Sequence, residues 1–208
     1  MKILIINPNS DLEMTKDIQE TAEKFAREHF EVLCLPTPGA PKFIETREDE
    51  VLAAPGMIKL AKENNDKCDA FIIACHCDPN IDVINEITDK PVVGIGEASM
   101  RIASILGHRF SIIQTTKESV PLKEDLVRKY QLQDSLASVR APQEIPPESS
   151  DEERYIEAAR AAIAEDRADV IVLGCAGLTG LAKRMQQELG IPVMDGVICA
   201  LILATALI

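Results

Sequence analysis

One pattern occurs twice in this chain and restricts its fold more than any other feature. Asp69-Ala70-Phe71-Ile72-Ile73-Ala74-Cys75 is an aspartate, a mostly apolar run and a cysteine, and Asp169-Val170-Ile171-Val172-Leu173-Gly174-Cys175 repeats it at the same spacing. Each run leads into a helix-like stretch and then a short apolar strand opened by proline, Pro91-Val92-Val93 and Pro192-Val193-Met194. Apolar runs this short, without strict alternation and each followed by a helical pattern, read as strands of a parallel sheet buried on both faces. A strand ending in cysteine delivers its sulfur to the carboxyl edge of such a sheet, where open α/β folds place their ligands.

The rest of the chain agrees. Strands are predicted at Lys2–Ile6, Glu31–Leu35, Ala70–Ala74, Pro91–Val93, Phe110–Ile113, Leu136–Arg140, Val170–Gly174 and Pro192–Met194. Between them lie helical patterns at Asp11–Glu28, Glu48–Asn64, Asn80–Ile87, Glu97–Leu106, Lys117–Tyr130, Ser150–Asp166, Leu178–Leu189 and the apolar C-terminal run. Proline-rich turns follow the second strand of each half, at 37–41 and 142–147. Laying residues 1–107 over 108–208 gives the same order of elements twice. The fold class expected is α/β: two pseudo-symmetric doubly wound lobes, each a mainly parallel sheet covered by helices, with the active site in the inter-lobe cleft. The first lobe is expected to span 1–94 plus 195–208 and carry Cys75; the second spans 95–194 and carries Cys175.

Composition narrows the partners. A net charge of −12, with no Lys/Arg-rich run, argues against nucleic acid. The opening apolar stretch, Ile3–Ile6, is too short for a signal peptide and reads as a first strand. The C-terminal apolar run falls short of the ~20 residues that cross a bilayer, so it reads as a buried helix and no membrane partner is expected. Six cysteines without an export signal read as reduced thiols of a cytoplasmic protein. A small-molecule substrate and a homo-oligomeric assembly are expected.

Two matched thiols suit one kind of chemistry. Inverting a carbon by moving its proton needs a base on one face and an acid on the other, and a thiolate with a thiol exchange those roles when the other enantiomer binds. Both cysteines precede predicted helix starts, at Asp78-Pro79-Asn80 and Gly177-Leu178-Thr179, whose positive ends favour thiolate. Backbone N–H groups of the same turns, such as those of Ala176 and Gly177, can hold negative charge developing on a carbonyl oxygen. Asn7 and Thr115 lie in matching loops at the ends of the two opening strands and can hydrogen-bond a substrate, or serve as turn and cap residues. Thr46 falls in the long loop after the second strand, a place for a segment covering the substrate or for plain solvated loop. His76 either faces solvent or modulates Cys75, and Cys77, the other candidate modulator, fills a tight turn or takes part in reversible disulfide or oxidative chemistry. Cys75-His76-Cys77 could be half of a metal site, but zinc wants four ligands or three plus water, and the other histidines, His29 and His108, have no ligand-like neighbours, so no metal is expected. Asp78 reads as a helix N-cap, and Cys34, Cys68 and Cys199 as inert.

Ile5-Ile6-Asn7-Pro8-Asn9-Ser10, Ala74-Cys75-His76-Cys77-Asp78-Pro79, residues 91–98 and Leu173-Gly174-Cys175-Ala176-Gly177-Leu178 together resemble the hydantoin racemase branch of the aspartate/glutamate racemase superfamily. The resemblance runs over essentially the whole chain. It implies two α/β lobes, cofactor-independent racemisation between them, catalytic cysteines at Cys75 and Cys175, and a binding threonine at Thr115. Glutamate racemases usually carry Asp-Ser after the first strand and Cys-Thr-His after the second catalytic strand. This chain has Asn7-Pro8-Asn9 and Cys175-Ala176-Gly177, which suits a neutral cyclic diamide. At the first thiol the hydantoin branch resembles Cys-Phe-Gly-Asp-Pro, and here His76 and Cys77 replace the aromatic residue and the glycine. The expected activity is inversion of a carbon next to a carbonyl, on a 5-substituted hydantoin or allantoin-like ring. An amino-acid racemase, or a cysteine-dependent isomerase or decarboxylase of the same superfamily, is the enzyme alternative. A small-molecule binding protein is the non-enzyme alternative.

Overall fold

The computed structural model describes residues 1–142 and 151–208. The turn expected at 142–147 and the first residue of the sixth predicted helix, Ser150, fall largely outside them. Two compact units emerge, residues 1–98 with 197–208 and residues 99–196.

In the first unit four parallel strands, β1 (Lys2–Asn7), β2 (Glu31–Pro36), β3 (Ala70–Ile73) and β4 (Val92–Gly94), form a sheet in the order β2-β1-β3-β4. Helices α1 (Leu12–Ala26), α2 (Arg47–Asn64) and α3 (Ile81–Ile87) connect them, and α4 (Ile95–Leu106) follows. The second unit repeats the plan with β5 (Phe110–Ile113), β6 (Leu136–Arg140), β7 (Val170–Leu173) and β8 (Val193–Met194), all parallel, in the order β6-β5-β7-β8. Its helices are α5 (Val120–Lys129), α6 (Asp151–Asp166) and α7 (Ala182–Leu189), and α8 (Gly196–Leu207) closes the chain.

Continuous apolar strands are explained by burial on both faces. In β7, Ile171 and Leu173 pack with Ile156, Ala159 and Met185, while Val170 and Val172 pack with Met100, Leu126 and Val127. The period of two thus splits one strand between two helical layers. In the first unit Leu4, Ile6, Phe71 and Ile73 meet Met57, Leu60 and Ile84 from α2 and α3.

The aspartates that open the repeated pattern set the sheet. Asp69 accepts the Lys2 backbone N–H at 2.8 Å. Asp169 accepts those of Arg109 and His108, each at 2.9 Å. Lys2 and Arg109 sit at equivalent ladder positions, since Ile3 pairs with Ala70 as Phe110 pairs with Val170. Burial pushes the Asp169 carboxyl up, but its backbone donors prevail and hold it below the usual carboxylate range.

Helices α3, α5 and α7 begin later than their apolar periodicity suggests. Helix α5 starts at Val120 with Pro121 in its first turn, a position that needs no N–H donor. Asn80 has φ 58° and cannot continue into α3 as helix. The run from Leu178 is broken: a 3-10 turn covers Ala176–Leu178, and α7 begins only at Ala182. Gly180 between them has φ 86°, in the left-handed region that an α-helix excludes.

Candidate active site

Each cysteine of the repeat stands two residues past its strand, after one last ladder bond. Ala74 N–H donates to Ile6 C=O, and Gly174 N–H to Ile113 C=O, both at 2.8 Å. The chain then turns. Cys75 C=O accepts from Asp78 N–H at 2.9 Å, and Cys175 C=O from Leu178 N–H at 3.1 Å. Both thiols are half-buried, whereas Cys34, Cys68 and Cys199 are buried. Burial pushes the Cys34 thiol up to about 12 and raises that of Cys68, which keeps them protonated and unreactive.

The donor for thiolate differs from the one the sequence suggests. At Cys175 the helical start is a single 3-10 turn, Ala176–Leu178, which Cys175 itself caps; the α-helices come later, α3 six residues after Cys75 and α7 seven after Cys175. The backbone of the turn takes over this role. Gly177 N–H points at Cys175 Sγ at 3.4 Å, so a peptide N–H in a tight turn faces the sulfur. Ala176 is buried and Gly177 is exposed. A cavity of about 430 Å³ in the second unit borders this turn, lined by Gly177, Leu178, Thr179 and Gly180 together with Tyr155 and Arg184.

The other expected residues divide. Asn7 is fully buried, and its amide is spent inside its own loop: Nδ2 donates to Asn9 Oδ1 at 2.8 Å and Thr15 Oγ1 at 2.9 Å, while Oδ1 accepts from Asn9 N–H. Thr46 is exposed and caps α2. Its hydroxyl accepts from Asp49 N–H, and its own backbone N–H donates to Asp49 Oδ2 at 2.9 Å, a full capping box. Thr115 is half-buried, and its hydroxyl makes no hydrogen bond among the described residues. His76 is buried rather than facing solvent, and Cys77 is half-buried beside it in the turn. Among the described residues no three His, Cys, Asp or Glu side chains gather as metal ligands.

One residue escaped the sequence reading. The ladders pair Ile6 with Ile73 and Ile113 with Leu173, so the equivalent of Asn7 is Gln114, one residue before Thr115. Gln114 Oε1 is buried and accepts no hydrogen bond from any described residue. A methyl group on Gly174 would lie 2.5 Å from it, so this oxygen rests on the backbone next to Cys175. The signal was the repeat itself, which sets Gln114 opposite Asn7 when the two opening strands are superposed.

Asp78 also does something other than expected. It caps a helix, but α4 rather than the adjacent α3: its oxygens accept from Gly96 N–H at 2.9 Å and Glu97 N–H at 2.8 Å.

Known proteins resemble this chain in sequence and in fold. A family model described as Asp/Glu/Hydantoin racemase matches residues 3–204. The hydantoin racemase of Pseudomonas sp. (strain NS671) is 39% identical over 214 residues, covering 100% of this chain and 86% of that protein. Among solved structures, the allantoin racemase of Klebsiella pneumoniae superposes with a TM-score of 0.93 at 31% identity, covering 100% of this chain and 87% of the other. The allantoin racemase of Pseudomonas fluorescens gives 0.92 at 33% identity, covering 100% and 90%. No described helix is long and apolar enough to cross a membrane.

Proposed function

The chain belongs to the Asp/Glu/hydantoin racemase family, and on that premise we propose that it is a cofactor-independent racemase of 5-substituted hydantoins or allantoin-like rings, working by proton transfer between Cys75 and Cys175. One thiolate removes the proton from the carbon next to a carbonyl, and the other thiol protonates the opposite face. The reverse enantiomer reverses the roles. The observation that carries this reading is the pair of half-buried thiols at equivalent ladder positions, set against three buried ones.

The local chemistry supports each step. Gly177 N–H stabilises charge on the Cys175 sulfur, and the exposed turn backbone offers N–H groups to an enolate oxygen. Around Cys175 the turn is Ala176-Gly177, without charge, which favours a neutral ring over a dicarboxylate. Thr115, with its hydroxyl uncommitted among the described residues, is assigned to the substrate; Asn7 and Thr46 are assigned to loop and helix capping. Six thiols suit a reducing, cytoplasmic setting.

Decay of the circular dichroism of a chiral 5-substituted hydantoin tests the mechanism. Cys75→Ser and Cys175→Ser should each lower the racemisation rate by ~10²–10⁴-fold. Full activity in both variants would sink the two-thiol mechanism. Deuterium uptake at the stereocentre without inversion in one variant identifies the base that survives.

A further inference from the structure

The turn after each cysteine is fastened by a carboxylate, and the two fastenings run in opposite directions. In the first unit the carboxylate belongs to the turn: Asp78, three residues after Cys75, reaches Gly96 and Glu97 in the first turn of α4. In the second it belongs to the strand end. Asp195, directly after β8, accepts from Gly180 N–H at 2.8 Å and from the Thr179 hydroxyl at 2.9 Å, both in the turn after Cys175.

The ladders place these groups at one shared point. Phe71 pairs with Val92 where Ile171 pairs with Val193, so Gly94 is the equivalent of Asp195. A Cβ on Gly94 would run into the Asp78 carboxyl. Glycine there leaves open the space in which a side chain would begin, and Asp78 fills it from the other side. Each half therefore holds one carboxylate between its cysteine turn and the start of its next helix.

We propose that Asp78 and Asp195 are positioning residues for the strand-end thiols, and that what matters is the carboxylate's place and not which strand supplies it. This rests on the reading of Cys75 and Cys175 as the acid/base pair. The physical reason is the short reach of the turn. Asp78 N–H bonds to Cys75 C=O, and in the second half Gly177 N–H faces Cys175 Sγ two residues before the tied Thr179. Releasing the far end of the second turn frees the N–H that faces Cys175 Sγ, and releasing the first frees the turn whose Asp78 N–H holds Cys75 C=O; misplacement of about 1 Å can cost ~10²-fold in rate.

The test uses the full chain with Asp78→Ala, Gly94→Asp and the double variant. Three quantities are measured: kcat and KM for hydantoin racemisation, the thermal midpoint, and the pH profile of iodoacetamide alkylation at Cys75 and Cys175, read by peptide mass spectrometry. Asp78→Ala should lower kcat by roughly 10–100-fold and displace the Cys75 profile while leaving that of Cys175 unchanged. Adding Gly94→Asp should restore both toward the parent. Gly94→Asp alone, which crowds two carboxylates into one place, should be the least stable. The proposal is overturned if folded Asp78→Ala keeps kcat and the Cys75 profile within about twofold, or if the double variant is no nearer the parent than Asp78→Ala.

If Asp78→Ala does not fold, Asp195→Asn, which retains one acceptor oxygen, makes the same comparison at Cys175, and an unmoved Cys175 profile then overturns the proposal. The alkylation arm needs no substrate. A parent protein that inverts no hydantoin, but whose thiols respond as described, removes the racemase reading and supports the ties.

Discussion

The two units share a frame and fill it differently. Strand order, the register of the central strand pair, the opening aspartate and the cysteine two residues past the strand are the same in both. The polar groups set into that frame are not. After the opening strand the first unit has Asn7, whose hydrogen bonds close within its own loop; the second has Gln114, whose buried oxygen is left without a described donor. The carboxylate between cysteine turn and helix comes from the turn in one unit and from the strand end in the other. Duplication preserved positions in space more strictly than it preserved residues. In the first unit the polar groups of the opening loop are closed on one another, while in the second the Gln114 acceptor, beside the backbone next to Cys175, and the Thr115 hydroxyl are uncommitted among the described residues.

The sharpest way to break this contrast is to remove both amides. Asn7→Ala removes the donor to Asn9 Oδ1 and Thr15 Oγ1 and the acceptor of Asn9 N–H, and should cost about 1–3 kcal/mol, read as a lower denaturation midpoint. Gln114→Leu deletes an unpartnered acceptor and should hold or raise stability, while KM for the hydantoin rises if the amide turns out to meet substrate. A loss of stability in Gln114→Leu equal to that of Asn7→Ala would erase the distinction.

A second, smaller effect concerns acid. Asp166 is held below the usual carboxylate range first by its hydrogen bond from Arg140, and Asp169 by backbone donors that outweigh burial. Because these folded-state values lie below the unfolded ones, their stabilisation is full above the ordinary carboxylate range. It is lost as pH falls through the lowered values. In the first unit the lowered carboxyls, Asp11 and Asp49, act locally at helix starts, Asp11 as the cap of α1 held by Met14 N–H and Asp49 as the capping-box partner held by Thr46. Hydrogen exchange at descending pH should therefore open β5–β7 contacts before the β1–β3 core. Simultaneous opening, or the reverse order, would contradict this account.

The smallest expected change is at Thr46. Thr46→Ala should cost ~1 kcal/mol through loss of the cap and leave kcat/KM for the hydantoin unaltered. A drop in kcat/KM without a drop in stability would return Thr46 to the substrate.

Much of the fold was legible because parallel strands buried on both faces need unbroken apolar runs. Those at Phe110–Ile113 and Leu136–Arg140 appear in the structure with the boundaries read from sequence. The cysteine pair was legible for the same reason, since its place depends only on strand ends. The ties were not. Asp78 meets backbone 18 residues ahead, Asp195 meets a turn 15 residues behind, and a carboxylate's local pattern does not say which distant N–H it will find. The missing first turn of α7 has this cause too: the Gly180 N–H is engaged by Asp195, and its φ of 86° takes it out of the helix. Helical periodicity at Leu178–Leu189 carries no trace of that competition.

The strand-opening aspartates have a kinetic consequence. Lys2 and Asp69 are 67 residues apart, and Arg109 and Asp169 are 60 apart, so each central strand pair closes a long loop before any reward arrives. A slip of one residue would turn every core side chain to the wrong face, and would also part the carboxylate from its N–H. Bonds that form only once the register is correct belong to the late side of the folding barrier, where they slow unfolding and leave the folding rate nearly untouched. Asp69 and Asp169 are thus expected to act as latches, setting how long the sheet stays closed rather than how fast it forms.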